Sequence, residues 1–283
     1  MVKIILKLDK LTSLLVSYHI LSAPSELSKK YNPEIFKNLK ISPKEKRLYK
    51  KWLSTKISLE KSDSFKQYLF IPLAKNLNFC FSKLEIENKG LVKSIKDFQK
   101  PFFKYLKIVG TKINSSISAR NKESQRIINK VYNYAFKFSG VKIEIPKLIE
   151  VRIIEGISPM SVGTSVTNGV GYVAMQVSNL LSEGDSYLLS LIHETVAHKI
   201  ARPSRDHFGK IFGRYIYDLE EGFAKLFSRK IAEEILNREV YYPAGKGVQE
   251  ISYKIFEKNW KLLNGKNFDS WFGKCLSEIK IKI

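Results

Sequence analysis

The spacing of hydrophobic and polar positions changes several times along this chain, and each change marks an element. Leu11–Leu21, Pro43–Ile57 and Asp63–Leu73 carry apolar residues three and four apart, with Pro24, Pro33, Pro43 and Pro72 as punctuation. The N-terminal part therefore reads mainly as helices. A longer helix is predicted over Ser116–Phe138, where Ile127, Ile128, Val131, Tyr132, Tyr134 and Ala135 form the apolar face. Ser139-Gly140 supplies its stop, glycine being suited to a left-handed cap. Branched residues then crowd into the short segments Val141–Ile145, Leu148–Ile154 and Val170–Val177, which read as strands. A Gly/Ser/Thr-rich loop, Ser158–Gly169, precedes the last of them. Helical spacing returns over residues 185–202, with Asp185 as N-cap, Leu188, Leu189, Ile192 and Val196 as a buried stripe, and Pro203 as the stop. Further helices are expected from residue 218 through Ile235, over Gln249–Leu263, and around Trp271 and Phe272. The predicted class is α+β, mainly helical with a small sheet.

Composition narrows what such a chain can be. With 283 residues and 44% hydrophobic residues it can bury a core, and it is not wholly disordered. No run approaches the roughly 20 apolar residues that span a bilayer, so no transmembrane segment is expected. Leu11–Ile20 is apolar and follows several lysines, but Asp9 and His19 interrupt the pattern of a secretory signal. Cys80 and Cys275 are the only cysteines, which excludes a disulfide-built scaffold and a multi-cysteine zinc finger. Reduced thiols in a cytoplasmic protein are the simpler expectation.

Charge divides the chain more sharply than hydropathy does. The net charge of +22 is concentrated in residues 1–150, with 31 Lys and Arg against 12 Asp and Glu; residues 151–283 carry 18 against 15. Two functional regions are expected: a basic helical region over 1–112, and a nearly neutral domain over 113–283. A basic region suits a polyanionic partner, with nucleic acid the foremost candidate and an acidic membrane surface a weaker one. Lysines cluster around Tyr49 and Trp52 within Ser42–Lys56, a pattern open to phosphate contact and base stacking. The plainer reading puts Leu48, Trp52 and Leu53 in a core stripe with the lysines solvating the other face.

The candidate chemistry lies in the helix over 185–202, which reads DSYLLSLIHETVAHKIAR. Of four histidines in the chain, His193, His198 and His207 fall within one 15-residue window. Two imidazoles on one helix face can share a metal, and a glutamate beside the first, Glu194, can act as general base. His193 and His198 are five apart, so a regular helix would separate them by about 140°. The position four after His193 is Ala197, which cannot ligate. A π-bulge, with its i→i+5 hydrogen bond, would return both rings to one side. Without it, Glu194 and His198 could form no more than a structural i,i+4 pair.

A second helix begins DLEEGFAKLFS at residue 218, with 22 residues between His198 and Glu221, enough for a loop and a returning helix. Glu221 could then complete a site of two histidines and one glutamate, with Glu220 as its competitor. HETVAH followed by EEGFA resembles the gluzincin group of zinc metallopeptidases, and the extra residue is similar to that group's HExxxH variant. The resemblance implies a zincin-like metallopeptidase domain over 113–283, with Zn2+ held by His193, His198 and Glu221. It further implies Glu194 as general base, and a peptide or protein substrate extended along an edge strand. Asp218 could orient a ligand histidine. His207 could be an alternative ligand, and Tyr241 or Tyr242 could supply a hydroxyl to a tetrahedral intermediate. The rival expectation is a basic nucleic-acid-binding protein whose His-Glu helix is structural or catalytically inactive.

Overall fold

The computed structural model describes residues 1–22, 39–48, 50–51, 89–155, 162–163, 169–182, 184–202, 212–263 and 267–282. Its elements are β1 (Lys3–Leu8), α1 (Lys10–Ser22), α2 (Lys89–Ser139), β2 (Leu148–Ile154), β3 (Val162–Gly163), β4 (Val170–Gln176) and α3 (Val177–Leu181). There follow α4 (Ser186–Ile192), which runs into a π turn over His193–Ala197, then α5 (Ile216–Leu236), α6 (Val248–Asn259) and α7 (Phe268–Lys280). The protein is mostly helical with one small sheet in the order β1-β2-β4-β3, which is the α+β class. The first three of these strands run parallel, and β3 pairs antiparallel to β4 at the edge. Among the described residues no helix is long and apolar enough to cross a membrane.

β1 was not anticipated from the helical reading of the N-terminus. Its alternation is real, with Val2, Ile4 and Leu6 buried while Lys3 and Lys7 are exposed. The strand edge is covered by a row of amides on α2. Val2, Ile4 and Leu6 donate their backbone N–H groups to Asn129, Gln125 and Asn121 at 3.1, 3.0 and 3.1 Å. Four helical residues advance about 6 Å and two strand residues about 6.6 Å, so amides at i, i+4 and i+8 keep step with alternate strand residues. A polar stripe on a helix thus satisfies an edge that would otherwise invite another chain.

The predicted helix over Ser116–Phe138 is the second half of the 51-residue α2, which continues through Pro101 and past residue 112 without a break. Gly140 ends it as expected, with φ 67° and its N–H bonded to the Phe136 carbonyl at 2.7 Å. Val141–Ile145 is not a strand. β2 is flanked on both sides by β1 and β4, and the outer edge of β1 is taken by the α2 amides. β3 lies inside the segment read as loop, and α3 follows β4 directly. The Pro43–Ile57 helix is present over residues 43–48, where Leu48 packs against the core; Tyr49, Trp52 and the Asp63–Leu73 helix lie outside the described residues.

Among the described residues two apolar clusters organise the chain. One joins α1 to the first half of α2 through Leu14, Tyr18, Ile95, Phe98, Phe102 and Leu106. The larger one contains the sheet, the second half of α2 and all later helices. Within it, Phe223 of α5 packs edge-on to Phe256 of α6 at 5.4 Å and to Phe272 of α7 at 5.3 Å. These rings anchor one face of α5 and leave the face with Glu220 and Glu221 turned towards the π turn.

Candidate metal centre

α4 is driven into the core by its sequence, since Tyr187, Leu188, Leu189, Leu191 and Ile192 are all buried. Tyr187 ties it to α2 by a hydrogen bond to Ser124 and by the Arg120 guanidinium over its ring at 4.9 Å. Asp185 occupies the N-cap position but does not cap with its side chain; its Oδ1 instead accepts a hydrogen bond from Arg238 Nη2 at 2.6 Å. That bond links the start of α4 to the residues following α5.

The five-residue spacing of the histidines is resolved by the backbone. Residues His193–Ala197 form a π turn, and the His198 N–H bonds to the His193 carbonyl, the i→i+5 bond of that geometry. Widening the turn by one residue brings both rings to one side. His193 Nε2 and His198 Nε2 stand 2.9 Å apart, with ring planes at 86°. Glu221 reaches across from α5, placing Oε2 3.5 Å from His193 Nε2 and Oε1 3.4 Å from His198 Nε2. Donors of a tetrahedral site with bonds of about 2.0–2.1 Å stand about 3.3 Å apart, so this spacing fits a shared cation.

Glu194 belongs to the same cluster: ligand atoms of His193, Glu194 and His198 all lie within 4.8 Å of one another. A His-Glu-His group that could hold a metal ion is therefore present. Two carboxylates compete for the third donor position. Glu221 directs one oxygen at each Nε2, whereas Glu194 is buried within the π turn itself.

Glu220 does something that was not foreseen. Its Oε1 accepts from His198 Nδ1 at 2.8 Å, which fixes the ring and directs the Nε2 lone pair towards the cluster. Sequence reading weighed Glu220 only as a rival to Glu221. The available signal was the adjacent Glu-Glu pair, which a helix sets about 100° apart and so on two sides of one ring. Asp218, the residue expected to orient a ligand, is exposed. His193 Nδ1 is buried with no hydrogen-bond partner among the described residues.

Electrostatics favour a positive guest. Burial alone would lower the pKa of His198, but hydrogen bonds to Glu220 and Glu221 and the charges of Glu194 and Glu221 push it up to about 10. Burial opposes the ionisation of Glu221, yet bonds from His193 and His198 hold it well below the usual carboxylate range. Three carboxylates around two imidazoles thus favour positive charge at the cluster.

The rim is set by Tyr242 and Lys225. The Tyr242 ring lies 6.2 Å from that of His193, and Lys225 Nζ lies 5.9 Å from the Tyr242 ring centre. Burial, then the Glu221 and Glu194 charges, raise the Tyr242 pKa, so its hydroxyl keeps its proton at neutral pH. Tyr241 is 84% exposed and takes no part. His207 lies outside the described residues. The edge strand β3 and its neighbour β4 both pack against the π turn. No protein-family model, no curated protein and no solved structure gives a significant match to this chain.

Proposed function

We propose that this protein is a zinc-dependent metallopeptidase of the gluzincin type, with a zincin-like catalytic domain. The observation that carries the reading is the π turn that brings His193 and His198 to 2.9 Å with Glu221 facing both. In this reading His193, His198 and Glu221 hold the metal, two imidazoles and a carboxylate being a donor set that zinc takes in catalytic sites. Zinc bound there would polarise a substrate carbonyl and make water acidic enough to attack near neutral pH.

The chain's own groups do the rest. Glu194 takes the proton of the attacking water and later returns it to the leaving amine. Glu220 keeps His198 in the tautomer that presents Nε2. Tyr242, held neutral, offers a hydrogen bond to the oxyanion that forms at the carbonyl. An extended peptide adding to β3 would run past the π turn, which makes a peptide or protein the favoured substrate.

The test is the metal content of metal-replete, dialysed protein, alongside peptide cleavage. Wild type should retain about one zinc per chain, and His193→Ala and Glu221→Ala should lose it. Glu194→Gln should keep the zinc and lose turnover. A wild type that retains no zinc, or a Glu194→Gln variant that cleaves at the wild-type rate, would sink the proposal.

A further inference from the structure

The lysines of α2 are ordered in a way that its core packing does not require. Lys89, Lys93, Lys96, Lys100, Lys104 and Lys107 recur in steps of three and four residues. At about 100° per residue they fall within an arc of about 80°. The same arc continues through Thr111, Asn114, Ser118 and Lys122, so neither a carboxylate nor an apolar side chain interrupts it. Every one of these residues is exposed. At about 1.5 Å per residue the row is about 50 Å long, of which the six lysines occupy about 27 Å.

Asp97 is the only acidic residue between positions 89 and 122. Among the described residues no ion pair joins Lys89, Lys93, Lys100, Lys104 or Lys107 to a carboxylate. The opposite face of the helix is fixed in the core by Val92, Ile95, Phe98, Phe102 and Leu106, so the row is carried on a helix anchored from behind.

We propose that this face of α2 binds the phosphate backbone of double-stranded nucleic acid without regard to sequence. A row of point charges recurring every three or four residues suits a polymer with one charge per about 1.7 Å of axis. Lysine binds phosphate as a compact point charge, and the threonine, asparagine and serine that extend the row are ordinary phosphate partners. A membrane surface is the poorer fit. A helix lying in a bilayer interface inserts an apolar face, whereas here that face is buried and Ile108 is the sole large apolar side chain exposed between 89 and 122 among the described residues. The proposal does not depend on the metal centre.

The experiment is fluorescence anisotropy of the full chain with a labelled DNA duplex of about 24 base pairs, from about 50 to 200 mM salt. Six lysine contacts predict a slope of log affinity against log salt of about −5. K93Q/K100Q/K104Q should reduce that slope by about 3 and weaken binding by about tenfold or more at about 100 mM salt. K93R/K100R/K104R should restore both. K254Q/K258Q/K274Q removes the same charge from α6 and α7 and should leave the slope unchanged. A wild-type slope in the glutamine variant of α2 would overturn the proposal. Equal losses from the two glutamine variants would overturn it too, as would binding to anionic phospholipid vesicles without binding to the duplex.

Discussion

His198 is gripped by Glu220: Nδ1 of the one lies 2.8 Å from Oε1 of the other, on the side of the ring away from His193. A ligand imidazole held in this way loses little further freedom when a cation arrives, and its proton is confined to the nitrogen that does not ligate. Glu220→Gln and Glu220→Ala should therefore keep the fold and the metal stoichiometry but weaken metal affinity by about 10–100-fold. Competition with a chelator of known affinity measures this. If Glu220→Ala binds metal as tightly as wild type, the carboxylate has no orienting role.

Gly222 explains why a glycine follows the two glutamates. A Cβ at this position would collide with Ser252 Oγ and come within 2.7 Å of the Gln249 carbonyl, so α6 can approach α5 this closely only over a glycine. Overpacking at such a contact costs about 1–3 kcal/mol, and it would also push Glu220 and Glu221 away from the histidines. Gly222→Ala should lower the denaturation midpoint and the metal affinity together. Adding Ser252→Ala should recover only part of the stability, because the backbone carbonyl remains in the way.

The legibility of this chain followed the range of its interactions. The His-Glu helix could be read because its stripe of Leu188, Leu189, Ile192 and Val196 is local, and because two histidines that are to share a cation at spacing five leave few backbone solutions. The π turn was thus inferable from chemistry where helix periodicity alone argued against it. Glu221 was reachable as a candidate through its distance along the chain. β1 was not found, since its partners are β2 and the amides of Asn121, Gln125 and Asn129, more than 110 residues away. Val141–Ile145 failed for the converse reason, having strand-like residues but no place beside β2, whose two edges are held by β1 and β4. The function of Glu220 depends on the rotation of α5, which Phe223 and Gly222 set through contacts that no local pattern reveals.

Tyr242 and Tyr241 form a natural control pair. The first lies against His193 with its hydroxyl held neutral, and the second is solvent-exposed. Under the proposed mechanism, Tyr242→Phe should leave the zinc content unchanged and lower kcat by about 100-fold, the loss usual for one oxyanion donor. Tyr241→Phe should have no effect. A fall in KM-dependent binding without a fall in kcat would assign Tyr242 to substrate packing instead.

The π turn also permits a test of why the histidine spacing departs from four. An extra residue in a helix is absorbed by one wide turn, after which the flanking segments resume their former register. Here the segments before and after are both committed to the core, through Leu191 and Ile192 on one side and Ile200 and Ala201 on the other. Removing one residue should let the turn relax to an ordinary α turn, with the two histidines about 40° apart on the same face. Thr195 is the residue to delete, because among the described residues its hydroxyl bonds only the Leu191 carbonyl of its own helix, at 2.6 Å. Val196 and Ala197 are fully buried and would keep their side of the helix approximately. The deletion variant should fold and retain metal near wild-type stoichiometry, whereas inserting a residue at the same place should lose it. A deletion variant that folds, by circular dichroism and a cooperative unfolding transition, yet binds no metal would mean that the wide turn itself aims the imidazoles. The five-residue spacing would then be a requirement of this site rather than a tolerated insertion.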